Sequence, residues 1–251
     1  MDKLMIPTII AFYIFGTLIG SFLNVCIYRI PRGEDIVVTR SHCMSCGYQL
    51  KWYDLIPLLS FVVLRGKCRK CNTQLSIQYP IIELINGVFY VLIYLTIGHS
   101  IRTILFCFLA SALIVLSLID WRTFEIPPGI SIFIGILGII QIIIDHEHWV
   151  DYIAGFFSVS VFLLVLFMLT RGQAMGFGDV KLMAATGLLL GWKLNILAFV
   201  IGCIVGSVIH LLRMKLQGES HQLAFGPYLA FGVLFSALWG NQLIEWYIKF
   251  L

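Results

Sequence analysis

The sequence predicts an all-α polytopic membrane protein with about eight transmembrane helices and a small zinc-binding cytoplasmic module between helices 1 and 2. Composition is the first observation behind this fold class. Of the 251 residues, 60% are hydrophobic and only 12% are charged, whereas a soluble domain carries about 25% charged residues. A soluble enzyme, a disordered chain and a collagen-like fibre are therefore excluded. The net charge of +4 is too small to indicate a nucleic-acid partner.

Long apolar runs are the second observation, because a helix needs about 20 apolar residues to cross a bilayer. The runs are continuously apolar and do not alternate, which favours helices over barrel strands. The first run is too long for a signal peptide and no A-x-A-like site follows it, so it is interpreted as a span. The eight runs are Ile6–Tyr28, Ile81–Gly98, Thr103–Ile119, Ile130–Ile144, Tyr152–Thr170, Val180–Trp192, Leu194–Leu212 and Leu223–Ile248.

Glycines four residues apart occur in several of these runs, for example Gly16 with Gly20 and Gly187 with Gly191. Such spacings let membrane helices approach closely. With 22 glycines in the chain, they are interpreted as ordinary tight packing.

The distribution of lysine and arginine predicts the orientation of these spans. Loops on the cytoplasmic side of a membrane protein are enriched in these bases. If the polar segment after the first run is cytoplasmic and eight spans alternate from there, only four of the 17 bases lie outside. These four are Lys3, Arg102, Lys193 and Lys249.

The polar segment Arg29–Ser76 contains four of the seven cysteines, in two C-x2-C pairs separated by 21 residues. Two such pairs can complete a tetrahedral shell of four thiolates around one metal ion. A segment of 48 residues cannot bury enough core to fold alone, and a metal can replace that core. We therefore predict a structural zinc site formed by Cys43, Cys46, Cys68 and Cys71. Two disulfides or four free thiols are the alternatives, and a reducing cytoplasm disfavours the disulfides.

Two aspartates lie at the ends of apolar runs, which makes them candidates for function. Asp120 ends the third run, and Asp179 opens the sixth in the sequence Gly176-Phe177-Gly178-Asp179. The predicted topology brings both to the cytoplasmic ends of their helices. Two carboxyl groups held together share a proton, so that one acts as a base and the other as an acid. The alternative is that they are interfacial acids at helix ends, and Glu83 is a third buried-acid candidate.

The ordered motifs of the whole chain resemble those of the type IV prepilin peptidases, the bifunctional leader peptidases of bacterial pilus and type II secretion systems. The matching segments lie in the family's order from the first apolar run to the last. They are Gly20–Val25, Asp54–Ser60, Tyr79–Pro80 with Glu83, Asp120 with Ile126–Pro127, Gly176–Asp179 and Phe225–Tyr228.

The resemblance implies that Asp120 and Asp179 are the catalytic pair of an intramembrane aspartic endopeptidase, with Gly176, Gly178 and Lys181 as supporting motif residues. It implies a prepilin or pseudopilin substrate, whose basic leader is cut on the cytoplasmic side after a glycine. It also implies a possible second activity, N-methylation of the new terminus with S-adenosylmethionine, for which Asn24 and Glu83 are the candidates.

Two positions depart from the family pattern. Pro128 follows Ile126-Pro127 where the family usually has an acid, and Met44 replaces the usual proline of the first cysteine pair. Neither change removes a proposed catalytic acid or metal ligand.

We predict three domains: a first helix at 1–28, a zinc module with the methyltransferase-associated region at 29–76, and a membrane-embedded peptidase at 77–251. The protein is expected to be multi-pass in the bacterial inner membrane, surrounded by lipid, with the module and active site facing the cytoplasm. Two alternatives remain, namely a non-enzymatic assembly factor of a pilus or secretion system, and a transporter with a relay of buried acids.

Overall fold

The fold is almost entirely helical. The computed structural model describes residues 5–173, 175–217 and 224–250. These described residues contain no β-strand, only two isolated bridges, His42 with Gln49 and Lys67 with Gln74. The helices are α1 Met5–Arg29, α2 Leu59–Val63, α3 Gln78–Ile97, α4 Ile101–Thr123, α5 Pro128–Ile144, α6 Trp149–Ser158, α7 Ser160–Leu169, α8 Phe177–Leu190, α9 Trp192–Gln217 and α10 Gly226–Ile248.

Every apolar run of the sequence coincides with helical structure. The run Tyr152–Thr170 differs in detail because it is divided at Val159 into α6 and α7. The Ser160 hydroxyl donates to the Phe156 carbonyl four residues earlier, a bond that often bends a helix. The predicted beginning of the last run, at 223, lies outside the described residues, as does Lys3.

Five helical segments of the described chain are long and apolar enough to cross a membrane. They are Met5–Arg32, Gln78–Ile97, Ile101–Thr123, His146–Leu169 and Trp192–Lys215, and α5 is a shorter apolar helix. The predicted class, a helical polytopic membrane protein, is confirmed. The number of eight spans stays a prediction, because it depends on whether the shorter helices also cross.

The chain divides into two compact units, residues 1–115 and residues 116–251. In the first unit, α1 packs closely against α3 through two glycines. A Cβ atom at Gly16 or Gly20 would lie only 2.7 Å from the Cα of Gly87 or Glu83, respectively. The fully buried Asn86 locks this contact, since its amide donates to the Gly16 carbonyl over 2.7 Å. The glycine spacing therefore marks the packing face of α1.

In the second unit, α6, α8 and α9 meet around the fully buried side chain of Asn195. Its amide donates to the carbonyls of Gly155 and Met183, each at 3.1 Å, and its oxygen accepts from the Thr186 hydroxyl at 3.0 Å. Away from water, each satisfied polar group avoids a desolvation cost of about 1–3 kcal/mol. This hub of hydrogen bonds around Asn195 connects α8, the helix that carries Asp179, to α6 and α9.

Substituting Gly187 with alanine is expected to destabilise the second unit. A Cβ at Gly187 would overlap the Gly155 carbonyl oxygen, so the two helix backbones would have to separate. Overpacking of this kind costs about 1–3 kcal/mol. Thermal unfolding in detergent should show a lower midpoint for Gly187→Ala. Gly129→Ala is the matched control, because in the described chain nothing beyond its sequence neighbours and its own helix backbone lies within 4 Å of that Cβ position. An equal midpoint for both variants would contradict the packing argument.

Candidate active site and metal centre

Asp120 lies near the end of α4 and is buried, with 5% of its surface exposed. The backbone amide of Gly226, at the beginning of α10, donates to Asp120 Oδ2 over 2.8 Å. This close approach requires a glycine, since a Cβ at position 226 would lie 2.8 Å from the same oxygen. The Asp120 carboxylate is therefore held in place by a residue 106 positions further along the chain.

Asp179 is the third residue of α8 and is equally buried, at 6% exposure. The N-terminus of a helix favours a negative charge at this position. Gly176 precedes the helix, and a Cβ there would lie 3.8 Å from Asp179 Oδ2. Gly178 lies so close to Ile126 that a Cβ would be 2.8 Å from the Ile126 Cβ. Gly178 thus brings the backbone beside Asp179 against Ile126, in the loop that follows α4.

The structure brings the carboxyl groups of Asp120 and Asp179 close enough for a charge–charge interaction. Lys181 is exposed and points its ammonium at the Phe177 ring, 4.8 Å from the centroid. The Arg213 guanidinium, on α9, lies 4.7 Å from the centre of the ring of Trp121, the residue that follows Asp120 in α4. Two buried carboxyl groups that interact can carry out acid–base chemistry on a bound substrate.

The four cysteines of the polar segment form one cluster, whose Sγ atoms all lie within 4.8 Å of one another. Cys43 Sγ is 3.8 Å from Cys71 Sγ, and Cys46 Sγ is 4.0 Å from Cys68 Sγ. These separations allow four thiolates to share one ion. The cluster can hold a metal ion, and none of its members forms a disulfide.

Both cysteine pairs lie in turns of the same geometry. The Gly47 amide donates to the Cys43 carbonyl at 2.9 Å, and the Asn72 amide donates to the Cys68 carbonyl at 3.0 Å. Each residue lies four positions after the first cysteine of its pair and has a positive φ, 68° for Gly47 and 57° for Asn72. Glycine and asparagine tolerate this conformation best. The first turn thus closes although Met44 stands in place of the usual proline.

Hydrogen bonds favour the metal-binding thiolate form of two cysteines in the cluster. The Thr73 hydroxyl lies 3.2 Å from Cys71 Sγ and, with the Thr73 backbone, lowers the pKa of that thiol to about 6. The backbone amides of Ser45 and Cys46 lower the pKa of Cys43 in the same way. Because the thiolate and not the thiol is the metal ligand, both shifts prepare the cluster for metal binding. For Cys46, the Tyr48 backbone lowers the pKa, but burial and hydrogen bonds with the other three cysteines raise it to about 11.

Asp54 joins the two turns by its side chain, which is almost fully buried. Its Oδ1 accepts from Arg69 Nε at 2.7 Å, within the second cysteine pair. Its Oδ2 accepts from the Lys51 amide at 3.2 Å and from the Tyr48 hydroxyl at 3.4 Å. Asp54 therefore acts as a crosslink of the cysteine module, independent of any metal.

Asn24 and Glu83 lie together in the seam between α1 and α3. The Asn24 amide donates to the Gly20 and Tyr79 carbonyls at 3.3 and 3.2 Å. Glu83 Oε2 accepts from the backbone amide of Leu58 at 2.8 Å. Asn24 Oδ1 is buried and has no hydrogen-bond partner among the described residues. This oxygen is available to a donor from a bound molecule.

The sequence alone predicts no specific role for Gly226 or Asp54. Both lie in segments that match the family motifs, Phe225–Tyr228 and Asp54–Ser60, so their positions carried a signal. The roles depend on partners far away in sequence, and these partners become visible only in the folded chain.

Comparison with known proteins agrees with both parts of the chain. Residues 14–97 match the bacterial peptidase A24 N-terminal domain, and residues 107–211 match the type IV leader peptidase family. A prepilin leader peptidase/N-methyltransferase of Legionella pneumophila is 32% identical, over 94% of this chain and 93% of its own length. The protein of that name from Bacillus subtilis is also 32% identical, over 94% and 96%, and that of Aeromonas salmonicida is 29% identical, over 94% and 92%. No solved structure matches the chain significantly.

The fold and the two sites define a multi-pass helical membrane enzyme with a separate cysteine-rich module. The relatives cover nearly the whole chain at about the same identity. The chain belongs to the type IV leader peptidase family.

Proposed function

We propose that the protein cleaves the leader of prepilins or pseudopilins, with Asp120 and Asp179 as its catalytic residues. The observation that carries this proposal is the pairing of two buried carboxyl groups from α4 and α8, close enough to interact. Membership of the leader peptidase family supports the reaction class, and the names of the relatives support the substrate class. The family resemblance adds that the bond after a glycine is cut.

The chemistry requires one proton shared between the two carboxyl groups. The ionised aspartate takes a proton from water, whose oxygen attacks the scissile carbonyl carbon. The protonated aspartate then gives its proton to the leaving amine, and the peptide bond breaks. Gly226 contributes by its amide, which holds one oxygen of Asp120 in a fixed position. Neither a metal nor a serine or cysteine nucleophile takes part in these steps.

Substituting Gly226 with alanine is expected to lower the cleavage rate without unfolding the chain. The new Cβ would displace the Asp120 carboxylate and would also lie 3.0 Å from Leu116 Cδ2. A displacement of about 1 Å at a catalytic group costs about 100-fold in rate. Steady-state cleavage of a prepilin measures this loss, with Gly129→Ala as the control. A cleavage rate equal to that of the control would show that the Gly226 contact does not position Asp120.

We propose that the metal of the cysteine cluster is zinc and that its role is structural. A tetrahedron with zinc–sulfur bonds of about 2.3 Å has edges of about 3.8 Å, which fits the separations of 3.8 and 4.0 Å. Four thiolates leave no open position for a substrate or water, so the ion would stabilise the module between α1 and α3.

A second activity is supported by the seam between α1 and α3, namely N-methylation of the new amino terminus. The relatives are named as N-methyltransferases as well as leader peptidases. S-adenosylmethionine supplies the methyl group when bound, and its ammonium group needs acceptors. Asn24 Oδ1 is a buried acceptor without a partner among the described residues, and it lies in the same seam as Glu83. We therefore assign these two residues to cofactor binding.

The charge distribution supports a proposal for the orientation in the membrane. We propose an inner-membrane location with the cysteine module and both aspartates facing the cytoplasm, because that arrangement leaves only four bases outside. The family resemblance implies a basic prepilin leader, and a basic segment stays on the cytoplasmic side of the membrane, where both aspartates are proposed to lie.

Incubation of the purified protein with a prepilin and S-adenosylmethionine tests both activities. The mass of the product reports the loss of the leader and the addition of a methyl group separately. An uncut prepilin would refute the peptidase assignment. A product cut after glycine but unmethylated would refute the methylation activity, and with it the role of Asn24 and Glu83, but not the peptidase assignment.

A further inference from the structure

The short helix α2 of the cysteine module has an apolar face that the described residues of its unit leave exposed. Leu59, Val62 and Val63 are 64%, 71% and 74% exposed. Their spacing of i, i+3 and i+4 places them on one side of the helix. The preceding residues Leu55 and Ile56 are exposed as well. A contiguous apolar surface of this kind marks an interaction site.

The position of α2 along α3 is known from one hydrogen bond, between the Leu58 amide and Glu83 Oε2 at 2.8 Å. Glu83 is the sixth residue of α3, so it lies about 8 Å along the axis from the helix start. The 20 residues of α3 measure about 30 Å, the thickness of the hydrocarbon core. Leu58 immediately precedes α2, and α2 therefore begins level with the first turns of a membrane-spanning helix.

The backbone of Leu58 adopts an unfavourable conformation at the point where the chain meets α3. Its φ of 60° with ψ of −49° is unfavourable for a branched residue and persists only where the surroundings require it. The Glu83 carboxylate accepts the Leu58 amide at this point. The fold therefore fixes the position of Leu58, and with it the start of α2, beside α3.

The surroundings of α2 match a lipid surface. On the same part of α3, Ile81, Leu84 and Ile85 are exposed in the way expected of side chains that face lipid. Beyond the C-terminus of α2, Arg65 and Lys67 are exposed. Apolar residues beside bases are typical of helices that lie in the membrane interface, with the apolar face about 5–10 Å deep.

We propose that α2 is an interfacial anchor, in which the face formed by Leu59, Val62 and Val63 inserts into the headgroup boundary of the bilayer. Arg65 and Lys67 then meet the phosphates of anionic phospholipids. The occupant of this face is lipid, and the anchor holds the cysteine module against the membrane surface. The proposal depends on the membrane location of α3 and not on the peptidase reaction.

Photocrosslinking of the full chain in vesicles tests this anchor. A benzophenone amino acid is placed at position 62, and the protein is reconstituted in phosphatidylethanolamine with phosphatidylglycerol. After irradiation, the mass of the chain should increase by that of a phospholipid. The same probe at Met44, an exposed residue of the first cysteine turn, should give no lipid adduct. Crosslinks at position 62 to a second chain alone, or no crosslinks there, would overturn the proposal.

The charged part of the anchor has its own measurement. With the probe at position 62, phosphatidylglycerol should be enriched among the adducts relative to its share of the vesicle lipid. Arg65→Gln with Lys67→Gln should abolish this enrichment while the adducts themselves persist. Enrichment that survives the double substitution would refute the role of the two bases.

Discussion

Replacement of Asp179 by asparagine is expected to abolish prepilin cleavage, with a loss of about 10²–10⁴-fold, the contribution typical of a general acid or base. Asparagine has nearly the shape of aspartate but can neither hold nor release the shared proton. The substitution leaves the helix contacts of α8 in place, including the Asn195 hub. The rate is measured by following the uncut and cut prepilin with purified protein in detergent.

Asp120→Asn is expected to cause a loss of similar size for the same reason. Its side-chain oxygen can still accept the Gly226 amide, so the positioning of the side chain is kept and only the acid–base function is removed. Because the two residues act as a unit, the double variant should be little worse than either single variant. If the loss of rate in the double variant instead equals the product of the two single losses, the two aspartates have independent roles.

Asp151→Asn is the matched control for these experiments. Asp151 is an exposed acid at the start of α6 that accepts a hydrogen bond from the Trp192 indole. The Asp151→Asn variant should cut prepilins at the wild-type rate. If Asp120→Asn or Asp179→Asn also cuts near the wild-type rate, the assignment of the catalytic pair is wrong.

Removal of one cysteine ligand is expected to empty the metal site and unfold the module between α1 and α3. The purified protein should contain about one zinc per chain, as four thiolates hold one ion. Cys43→Ser or Cys71→Ser should lose it, because a three-thiolate site with a neutral hydroxyl binds far less tightly. Structural zinc contributes about 10–16 kcal/mol of binding energy, and in such modules this is folding energy. Elemental analysis and limited proteolysis measure the two effects.

Cys203→Ser is the control for the metal prediction, since Cys203 lies in α9, outside the cluster. It should keep both the metal and the resistance to proteolysis. Asp54 with its three partners crosslinks the module without metal, so the unfolding after metal loss should be strongest when Asp54→Ala is added. Metal-free wild-type protein with unchanged protease resistance would refute a structural ion.

The helices could be predicted from the sequence because the bilayer leaves few alternatives. An apolar run without water must satisfy its backbone internally, and a helix does so within the run itself. Within the described residues, each of the eight runs is accordingly helical. The break at Val159 could not be predicted in this way, because Ser160 is compatible with a continuous helix, and neither could the Asn195 hub, whose partners lie on other helices.

The cysteine cluster could be predicted from spacing, since two C-x2-C pairs converge on one point without information from the rest of the chain. The aspartates could be placed at helix ends, but their mutual distance depends on how α4 and α8 pack. Gly226 lies in a family motif, but its residue type does not indicate its role, because that role is carried by a backbone amide. The uncovered face of α2 lies in a segment that the sequence predicts only as polar, and its meaning depends on the bond between Leu58 and Glu83.

The sequence by itself determined the class of protein, the positions of the helical segments and the four cysteines that can hold a metal ion. These properties follow from local composition and short spacing, which act within one segment of the chain. Only the tertiary structure decided which amide holds Asp120 and where α2 lies along α3. These properties depend on contacts between segments far apart in the chain, and packing in three dimensions selects those contacts.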